Sequence, residues 1–367
     1  MEGGKLIGTG SSSCVLQPTI PCKGDAKINK NKVSKVLYHE SSKELMEYEK
    51  QQTKLIRAIK GHKNWSITYD KFCKAPSYRV IREYDKEGIT ECYGRDKGGT
   101  FDAYILNADY GGETLSQTFK YHFHSIKFPL IEKQFLEFMI MMDPLFKGIK
   151  EMAKAGIVHN DIKYNNIVEH NGVFKYIDFG LSSPFKNKSN FRSRSMEEFN
   201  TGRIYIVYPL EYLYYYTNSN ELENEIYNTP LRKNYKTIYN VQNILGNGDF
   251  WIPEIIDMLN DNKLTEIDMI SKIDVYSLGL QIPLLFYYYS NIKDPYNDSK
   301  IISDFYELFG EMSNTNPMER ISAEQAYKKY LLLMKKYYLK KNKKKTKKKS
   351  SKRKRRKKKM SKGRRGR

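Results

Sequence analysis

Two segments near the middle of the chain carry its most specific pattern: Ile157-Val158-His159-Asn160-Asp161-Ile162-Lys163-Tyr164-Asn165-Asn166-Ile167-Val168 and, after a short gap, Tyr176-Ile177-Asp178-Phe179-Gly180. Transfer of a γ-phosphoryl group needs a carboxylate that orients the attacking hydroxyl, and oxygen ligands for the divalent cations that bridge the phosphates. Asp161 is the candidate for this carboxylate. Asn166 and Asp178 offer the oxygen ligands, so the order and spacing predict a phosphoryl-transfer centre.

A short hairpin is expected between the two metal ligands. Residues 166–168 and 173–177 have the composition of strands. Asn171-Gly172 between them is the strongest short-range signal for a tight hairpin turn. The hairpin would bring the two ligands close together.

These segments resemble the signature of the eukaryotic-type protein kinases, H-R-D-L-x-x-x-N followed by D-F-G. The resemblance implies that Asp161 is the catalytic base and that Lys163 stabilises charge on the transferred phosphate. It also implies that Asn166 and Asp178 hold Mg²⁺ and that ATP is the phosphoryl donor. Lysine two residues after the base is typical of the Ser/Thr kinases of the family, so protein Ser/Thr hydroxyls are the expected acceptors.

The same resemblance implies a fold of the α+β class with two lobes. A small β-rich N-lobe with one main helix would precede a larger helical C-lobe. We expect a kinase domain at residues 1–334, with the N-lobe at 1–108 and the C-lobe at 109–334.

Asn160 departs from the family pattern, because most such kinases carry arginine before the base. That arginine normally pairs with a phosphorylated activation loop. Without a guanidinium group, a phosphate on the loop has one charge-assisted partner fewer. We therefore expect weak or absent dependence of activity on phosphorylation of this loop.

A glycine-rich pattern, G-x-G-x-x-S-x-V, follows Ile7 near the amino terminus. Gly8 and Gly10 would let backbone amides approach phosphate oxygens closely. Val15 would cover the adenine ring, as in the family. The pattern alone also fits a flexible Gly/Ser turn, and only the later motifs favour phosphate binding.

A lysine on a strand should reach the α- and β-phosphates. Lys35 is the preferred candidate, because Val33 shares its face at the period of two that is typical of a strand. A small apolar residue would then contact adenine beside the lysine. The neighbouring lysines compete for this assignment, namely Lys27, Lys30 and Lys32.

The lysine needs a carboxylate partner, which we expect on a helix at residues 42–56. Glu47 and Glu49 are both plausible. Glu49 lies nearer the apolar face of this helix and is preferred.

Residues 101–115 resemble the fifth strand of the family, its hinge and the following turn. On this match Leu106 is the gatekeeper, and backbone groups of Asn107 and Asp109 face the adenine. Glu113 falls where the family often binds the ribose, although an ordinary strand-to-helix turn fits Glu113 equally well.

The C-lobe should contain a core helix, because apolar residues recur with helical spacing from Ile131 to Ala155. Gly156 is the expected stop signal. Residues 274–279 resemble the family helix whose aspartate, here Asp274, anchors the catalytic loop.

Pro209-Leu210-Glu211 ends like the A-P-E motif of the family, and its glutamate would pair with Arg320. The distance from there to Asp274 is longer than usual, which indicates an insertion at about residues 215–268. Such an insertion could shape substrate choice, but a surface elaboration is the favoured interpretation.

The charge of the chain is strongly uneven. The formal net charge is +22, and residues 335–367 contain twenty-two Lys or Arg and no Asp or Glu. This tail should be disordered and should bind nucleic acid or another polyanion without reading sequence. Acidic proteins or anionic membranes are alternative partners. Residues Lys352 to Lys359 also have the composition of a nuclear-import signal. A tail that only increases solubility and has no partner would have the same composition.

No apolar run was found that would span a bilayer, and no signal peptide opens the chain. An intracellular protein without a transmembrane segment is expected. The four cysteines lack paired metal-ligand spacing, which argues against a zinc site and is compatible with a reducing compartment.

The leading interpretation is an ATP- and Mg²⁺-dependent Ser/Thr protein kinase, similar in composition to kinases of giant DNA viruses. One alternative is a pseudokinase that presents its basic tail to nucleic acid. Another is a small-molecule phosphotransferase of the aminoglycoside or choline type. Sites of that type rarely combine the equivalents of Lys163, Glu211 and Arg320.

Overall fold

The chain forms an amino-terminal antiparallel sheet of five strands and a mostly helical carboxyl-terminal part. The computed structural model describes residues 4–10, 13–25, 27–93, 102–123, 130–189, 191, 206–209, 231–247, 265–289 and 299–339. The expected α+β class is confirmed.

The amino-terminal sheet has the spatial order β1-β2-β3-β5-β4, and all neighbours are antiparallel. Its strands are β1 (Lys5–Thr9), β2 (Ser13–Gln17), β3 (Lys32–Leu37), β4 (Lys71–Lys74) and β5 (Tyr104–Asp109). Burial alternates along β2, where Cys14 and Leu16 are fully buried and their neighbours are not. Helix α1 (Ser42–Arg57) packs against β3 and β5.

Two short helices, α2 (Tyr78–Arg82) and α3 (Lys86–Tyr93), cover the opposite side of this sheet. Ile81 of α2 and Ile89 of α3 are fully buried with Leu16 and Ile105 of the sheet. The expected N-lobe helix, α1, is therefore accompanied by two smaller ones.

The four cysteines form two disulfides in this amino-terminal part. Cys14 pairs with Cys92, and Cys22 pairs with Cys73. The Cα separations of 6.1 and 5.9 Å lie within the range of disulfides. This pairing departs from the expectation of a reducing compartment, because disulfides persist mainly in oxidising environments.

The described residues of the carboxyl-terminal part form helices and two short antiparallel strand pairs around one apolar core. Its elements are α4 (Leu115–Phe123), α5 (Leu130–Met141), α6 (Asp143–Lys154), β6 (Ile157–Val158), β7 (Ile167–His170), β8 (Val173–Tyr176), β9 (Ser183–Pro184), α7 (Leu231–Ile244), α8 (Glu266–Tyr289), α9 (Lys300–Met312) and α10 (Ala323–Met334).

The helix expected from Ile131 to Ala155 is interrupted at Met142, where α5 ends and α6 begins. Pro144 causes the break, because proline has no N–H and its ring clashes with the preceding turn of a helix. Proline fits the first turn of a new helix, where it is found here. Gly156 follows α6 with φ +68°, in agreement with the expected stop signal.

The predicted hairpin is confirmed as β7 and β8, which pair antiparallel. Asn171 and Gly172 form its turn with φ values of 55° and 81°. A two-residue turn of this kind needs left-handed backbone at both positions, which asparagine and glycine accept.

Helix α8 is 24 residues long and apolar enough to cross a membrane by length and composition, although no such run was expected. Of its most apolar 18-residue window, 89% is buried within the fold. It packs against α4, α6, α9 and α10. This is the environment of a core helix.

Residues 231–247 belong to the predicted insertion and pack into the core. Val241 is fully buried, and Gln242 Nε2 donates to the carbonyl oxygen of Ser313 at 2.9 Å. The interpretation as a surface elaboration is wrong for this portion. The described residues do not include most of the remaining insertion. They also do not include Glu211 or tail residues 340–367.

The first residues of the basic tail dock on α9. Lys336 and Tyr337 both donate to Asp304, and Lys300 Nζ lies 2.7 Å from the same carboxylate. Burial on its own raises the pKa of Asp304, but these hydrogen bonds outweigh it and lower the pKa to about 2. Charge-assisted contacts thus hold the start of the tail on the body of the protein, and the expectation of disorder is wrong for residues 335–339, which form a helical turn.

Candidate active site

Lys35 of β3 lies between two carboxylates. Its Nζ is 2.7 Å from Glu49 Oε1 and 2.9 Å from Asp178 Oδ1. Glu49 is buried in α1, whereas Glu47 is exposed and pairs with Lys50. Of the two glutamates that the sequence left open, the structure therefore joins Glu49 to Lys35.

The competing lysines lie at the surface. Lys32 pairs with Asp70 and approaches Asp109 at 3.6 Å. Lys27 and Lys30 are exposed. Lys35 is the member of this group whose charge is enclosed with carboxylates.

Electrostatics keep Lys35 charged. Burial on its own lowers the pKa of Lys35, but Asp178, Tyr69 and Glu49 outweigh burial and hold it well above its ordinary value. Burial raises the pKa of Asp178 on its own, and the charge of Lys35 reverses this, so the pKa lies below its ordinary value. Lys163 also lowers the pKa of Asp178, so its positive charge acts on the same carboxylate.

Gly180 lies against the lysine–glutamate pair. A Cβ atom at this position would lie 2.7 Å from Glu49 Oε1, which is closer than real Cβ contacts. The absence of a side chain at Gly180 thus allows Glu49 to reach Lys35.

The carboxylate of Asp161 is bonded through both oxygens. Asn166 Nδ2 donates to Oδ2 at 2.7 Å and to the main-chain oxygen of Asp161 at 3.0 Å. Lys163 Nζ lies 3.1 Å from Oδ2. The hydroxyl of Tyr208 donates to Oδ1 at 2.9 Å. The structure thus brings the three predicted catalytic residues together and adds a tyrosine that the sequence analysis missed.

Asp274 of α8 holds the loop that carries Asp161. Its two oxygens accept the backbone N–H groups of His159 and Asn160 at 2.7 and 3.0 Å. Asn160 has φ +66°, a left-handed conformation that asparagine adopts more readily than most residues. The anchoring by Asp274 agrees with the expectation from the sequence.

Two further polar residues of α8 reach the site. Ser277 Oγ donates to the carbonyl oxygen of Val207 at 2.8 Å, and Gln281 Nε2 donates to that of Ile162 at 3.4 Å. With Asp274 they occupy positions i, i+3 and i+7, which lie on one face of a helix. One buried helix face therefore contacts both the loop and the segment before Tyr208.

Phe179 is buried between two rings. Its centroid lies 4.7 Å from that of His159 and 6.5 Å from that of Trp65. The preceding Asp178 has φ +58°. Insertion of Phe179 into the core and the unusual backbone at Asp178 together turn the carboxylate towards Lys35.

The sheet register aligns several predicted nucleotide-binding residues. Gly8 lies opposite Val15, Val15 opposite Lys35, and Lys35 opposite Leu106. Directly opposed residues share one face of a sheet. Ile7 is half exposed beside this row, and the N–H of Gly10 donates to Ser13 O in the turn.

An apolar cluster lies next to the row. Val33 and Ala108 are opposed in the sheet and pack with Ile67 and Val168, the latter from β7. This cluster connects the amino-terminal sheet with the hairpin that follows the Asp161 loop.

The residues expected to bind adenine and ribose, Asn107, Asp109 and Glu113, differ in part from the expected arrangement. Backbone groups of Asn107 and Asp109 were expected to face adenine, but the carbonyl oxygen of Asn107 accepts the N–H of Asp70 at 2.8 Å. The side chain of Asp109 is exposed. Glu113 is also exposed, and its carbonyl accepts the N–H of Glu169 at 2.8 Å.

Tyr69 was also missed. Its ring lies 5.8 Å from Lys35 Nζ and packs on Phe72.

No family model matches this chain, and no curated protein matches it. The function is therefore inferred from the site itself.

Proposed function

We propose that this protein is a Ser/Thr protein kinase that transfers the γ-phosphoryl group of ATP, with a bilobal fold and its site between the lobes. The proposal is carried by one observation: Lys35, bonded to Glu49 of the sheet region, is also bonded to Asp178 of the helical region. The positive charge of Lys163, in the Asp161 loop, contributes to the lowered pKa of Asp178. Lys35, which would bind the phosphates, and Asp161, which would orient the acceptor hydroxyl, thus belong to one site.

Asp161 would orient the acceptor hydroxyl and take its proton at a carboxylate oxygen. Lys163 would stabilise the negative charge on the phosphoryl group during transfer. Lys35 would bind the α- and β-phosphates, and Glu49 keeps its ammonium group in place. The row Gly8, Val15 and Lys35 and the neighbouring apolar cluster would receive the nucleotide.

The donor set fits Mg²⁺, which prefers oxygen ligands and is often bound through one or two carboxylates and the substrate phosphates. The amide nitrogen of Asn166 is used by Asp161, which leaves its amide oxygen as the ligand atom. The lowered pKa of Asp178 keeps its carboxylate ionised. When bound, the metal would neutralise charge on the phosphates.

The first experiment measures transfer of labelled γ-phosphate from ATP with Mg²⁺ to generic protein substrates and to small alcohols. We expect transfer to protein Ser and Thr, and a loss of about a hundredfold or more in Asp161→Asn. Transfer to small alcohols alone would favour a phosphotransferase. Binding of ATP without any transfer would favour a pseudokinase.

Two glutamates of α1 provide a matched comparison in the same assay. Glu49→Gln should lower kcat/KM for ATP, because Lys35 loses a charged partner. Glu47→Gln should leave it unchanged, since this side chain is half exposed and pairs only with Lys50 among the contacts described. Equal effects of the two substitutions would contradict the role of Lys35.

We further propose that the tail binds polyanions, since the twenty-two basic residues at 335–367 leave 42 basic and 42 acidic residues in the rest of the chain. Affinity for single-stranded or duplex nucleic acid should fall steeply with salt. Truncation after residue 339 should abolish it. Unchanged affinity after truncation would contradict this role.

A further inference from the structure

The hydroxyl of Tyr208 lies inside the candidate site and has no place in the mechanism above. It donates to Asp161 Oδ1 at 2.9 Å, and the tyrosine is only 1% exposed. Resting on the proposed kinase function, we propose that Tyr208 is a positioning residue that holds the catalytic carboxylate in a single orientation.

The geometry around the carboxylate supports this role. Asn166 and Lys163 both contact Oδ2, and contacts to one oxygen still leave the carboxylate plane free to rotate, because this torsion is broad in aspartate. A donor on Oδ1 fixes the second oxygen and hence the plane. Tyr208 supplies that donor, so the lone pairs of Asp161 point in fixed directions.

Tyr208 is itself held in place. The carbonyl of the preceding residue, Val207, accepts the hydroxyl of Ser277, and the tyrosine ring belongs to the main apolar core. Asp274, one helical turn earlier on α8, holds the loop of Asp161. The same helix therefore fixes the carboxylate and the phenol that orients it.

The hydrogen bond from Tyr208 does not prevent a substrate hydroxyl from bonding to the same carboxylate oxygen. A carboxylate oxygen has two lone pairs, so Oδ1 can accept one bond from Tyr208 and another from a substrate hydroxyl. Tyr208 therefore orients Asp161 without replacing the substrate.

The test compares Tyr208→Phe with Tyr330→Phe. Tyr330 is equally buried, and its hydroxyl donates to the carbonyl of Met139, so the control removes a buried phenol hydroxyl elsewhere in the core. Tyr208→Phe should lower kcat about tenfold, the scale of a lost hydrogen bond to a charged group, with KM for ATP unchanged. Tyr330→Phe should change neither parameter by more than about twofold.

A double-mutant cycle separates positioning from general destabilisation. In the Asp161→Asn background, Tyr208→Phe should cause no further loss of kcat, because the two residues act as one unit. An additive loss would overturn the proposal. So would an unchanged kcat in Tyr208→Phe, and so would a raised kcat, which would mean that the phenol blocks the acceptor.

The same four proteins are compared by chemical unfolding, which does not require activity. Coupling between the two substitutions in the free energy of unfolding should be present, since directly bonded residues are not additive. An inactive wild type with this coupling intact would overturn the kinase function and leave the orienting contact in place. Absence of coupling would overturn the role of Tyr208 whether or not the protein transfers phosphate.

Discussion

The sheet region and the helical region hold their site residues in different ways. In the sheet, Gly8, Val15 and Lys35 are aligned by regular strand register. In the helical part, Asn160 and Asp178 have left-handed backbone and lie in irregular segments. The sheet is held by backbone pairing and carries two disulfides, whereas the loop around Asn160 is bonded to buried polar side chains of a distant helix. Regular strand register can therefore position Lys35, whereas the loop that carries Asp161 needs partners that are distant in sequence.

The largest effect that separates the two regions should come from the disulfide between Cys22 and Cys73. Replacing both residues with serine should lower the free energy of unfolding by about 4 kcal/mol, because the bond closes a long loop in the unfolded chain. Its cysteines are 51 residues apart in sequence. Chemical denaturation of wild type and variant measures this difference.

Reduction is the control for this experiment. Dithiothreitol should destabilise the wild type and should affect the double-serine variant less, since only Cys14 and Cys92 remain paired there. Four free thiols in the untreated, denatured wild type would contradict the pairing.

Asp274→Ala tests the helical region. Two buried N–H groups, those of His159 and Asn160, would lose their acceptor, at a cost of about 3 kcal/mol in the free energy of unfolding. Phosphoryl transfer should fall in parallel because the loop is released. The control is Ser271→Ala on the same helix, whose exposed hydroxyl bonds only to the helix backbone in the contacts described. Equal stability of the two variants would show that the loop does not depend on α8.

Gly180→Ala tests the junction between the regions. The added methyl group would push against Glu49, weaken its contact with Lys35 and reduce kcat/KM for ATP about tenfold, equivalent to about 1.4 kcal/mol. Gly24→Ala is the control, because it has φ +80° and no atom near its Cβ position. It should alter stability but not ATP kinetics. An identical kcat/KM for Gly180→Ala and wild type would mean that the ion pair does not govern nucleotide use.

The smallest expected effect concerns Asp304. Its pKa of about 2 in the folded protein lies below the ordinary value, so its stabilising contribution is present above about pH 4 and is lost as pH falls towards 2. Asp304→Asn should cost about 1 kcal/mol at pH 7 and almost nothing near pH 2. Urea unfolding at several pH values measures this. The control, Glu311→Gln, breaks the more exposed pair with Lys329 and should lower the free energy of unfolding by less. A cost of Asp304→Asn that does not change with pH would contradict the lowered pKa of Asp304.

The features that sequence reasoning identified depend on short-range chemistry. The hairpin follows from Asn171-Gly172, whose turn geometry few other residues adopt. The choice of Lys35 and Glu49 follows from strand and helix periodicity. Asp274 was found because its surrounding pattern resembles a known anchor helix.

The features that it missed depend on residues far apart in sequence. Tyr208 is 47 residues from Asp161, and no periodicity connects them. Cysteine spacing does not determine which cysteines pair. The break at Pro144 carried a local signal, the proline itself, which the apolar periodicity of the surrounding residues obscured. Packing of residues 231–247 was hidden for another reason, since a Tyr/Asn-rich composition suggests a surface and gives no information on buried contacts such as that of Gln242.

The polar face of α8 also limits how the length of the chain can vary. Asp274 and Gln281 contact the loop that carries Asp161, and Ser277 contacts the segment before Tyr208, so three side chains at fixed intervals along one helix hold two backbone segments. Deleting a single residue between the first and the last would rotate one relative to the other by about 100° and shift it by about 1.5 Å. No side-chain substitution could restore such a mismatch. We therefore expect natural insertions and deletions in this protein to fall outside residues 274–281, so that in this helix the number of residues is constrained as strictly as their identity.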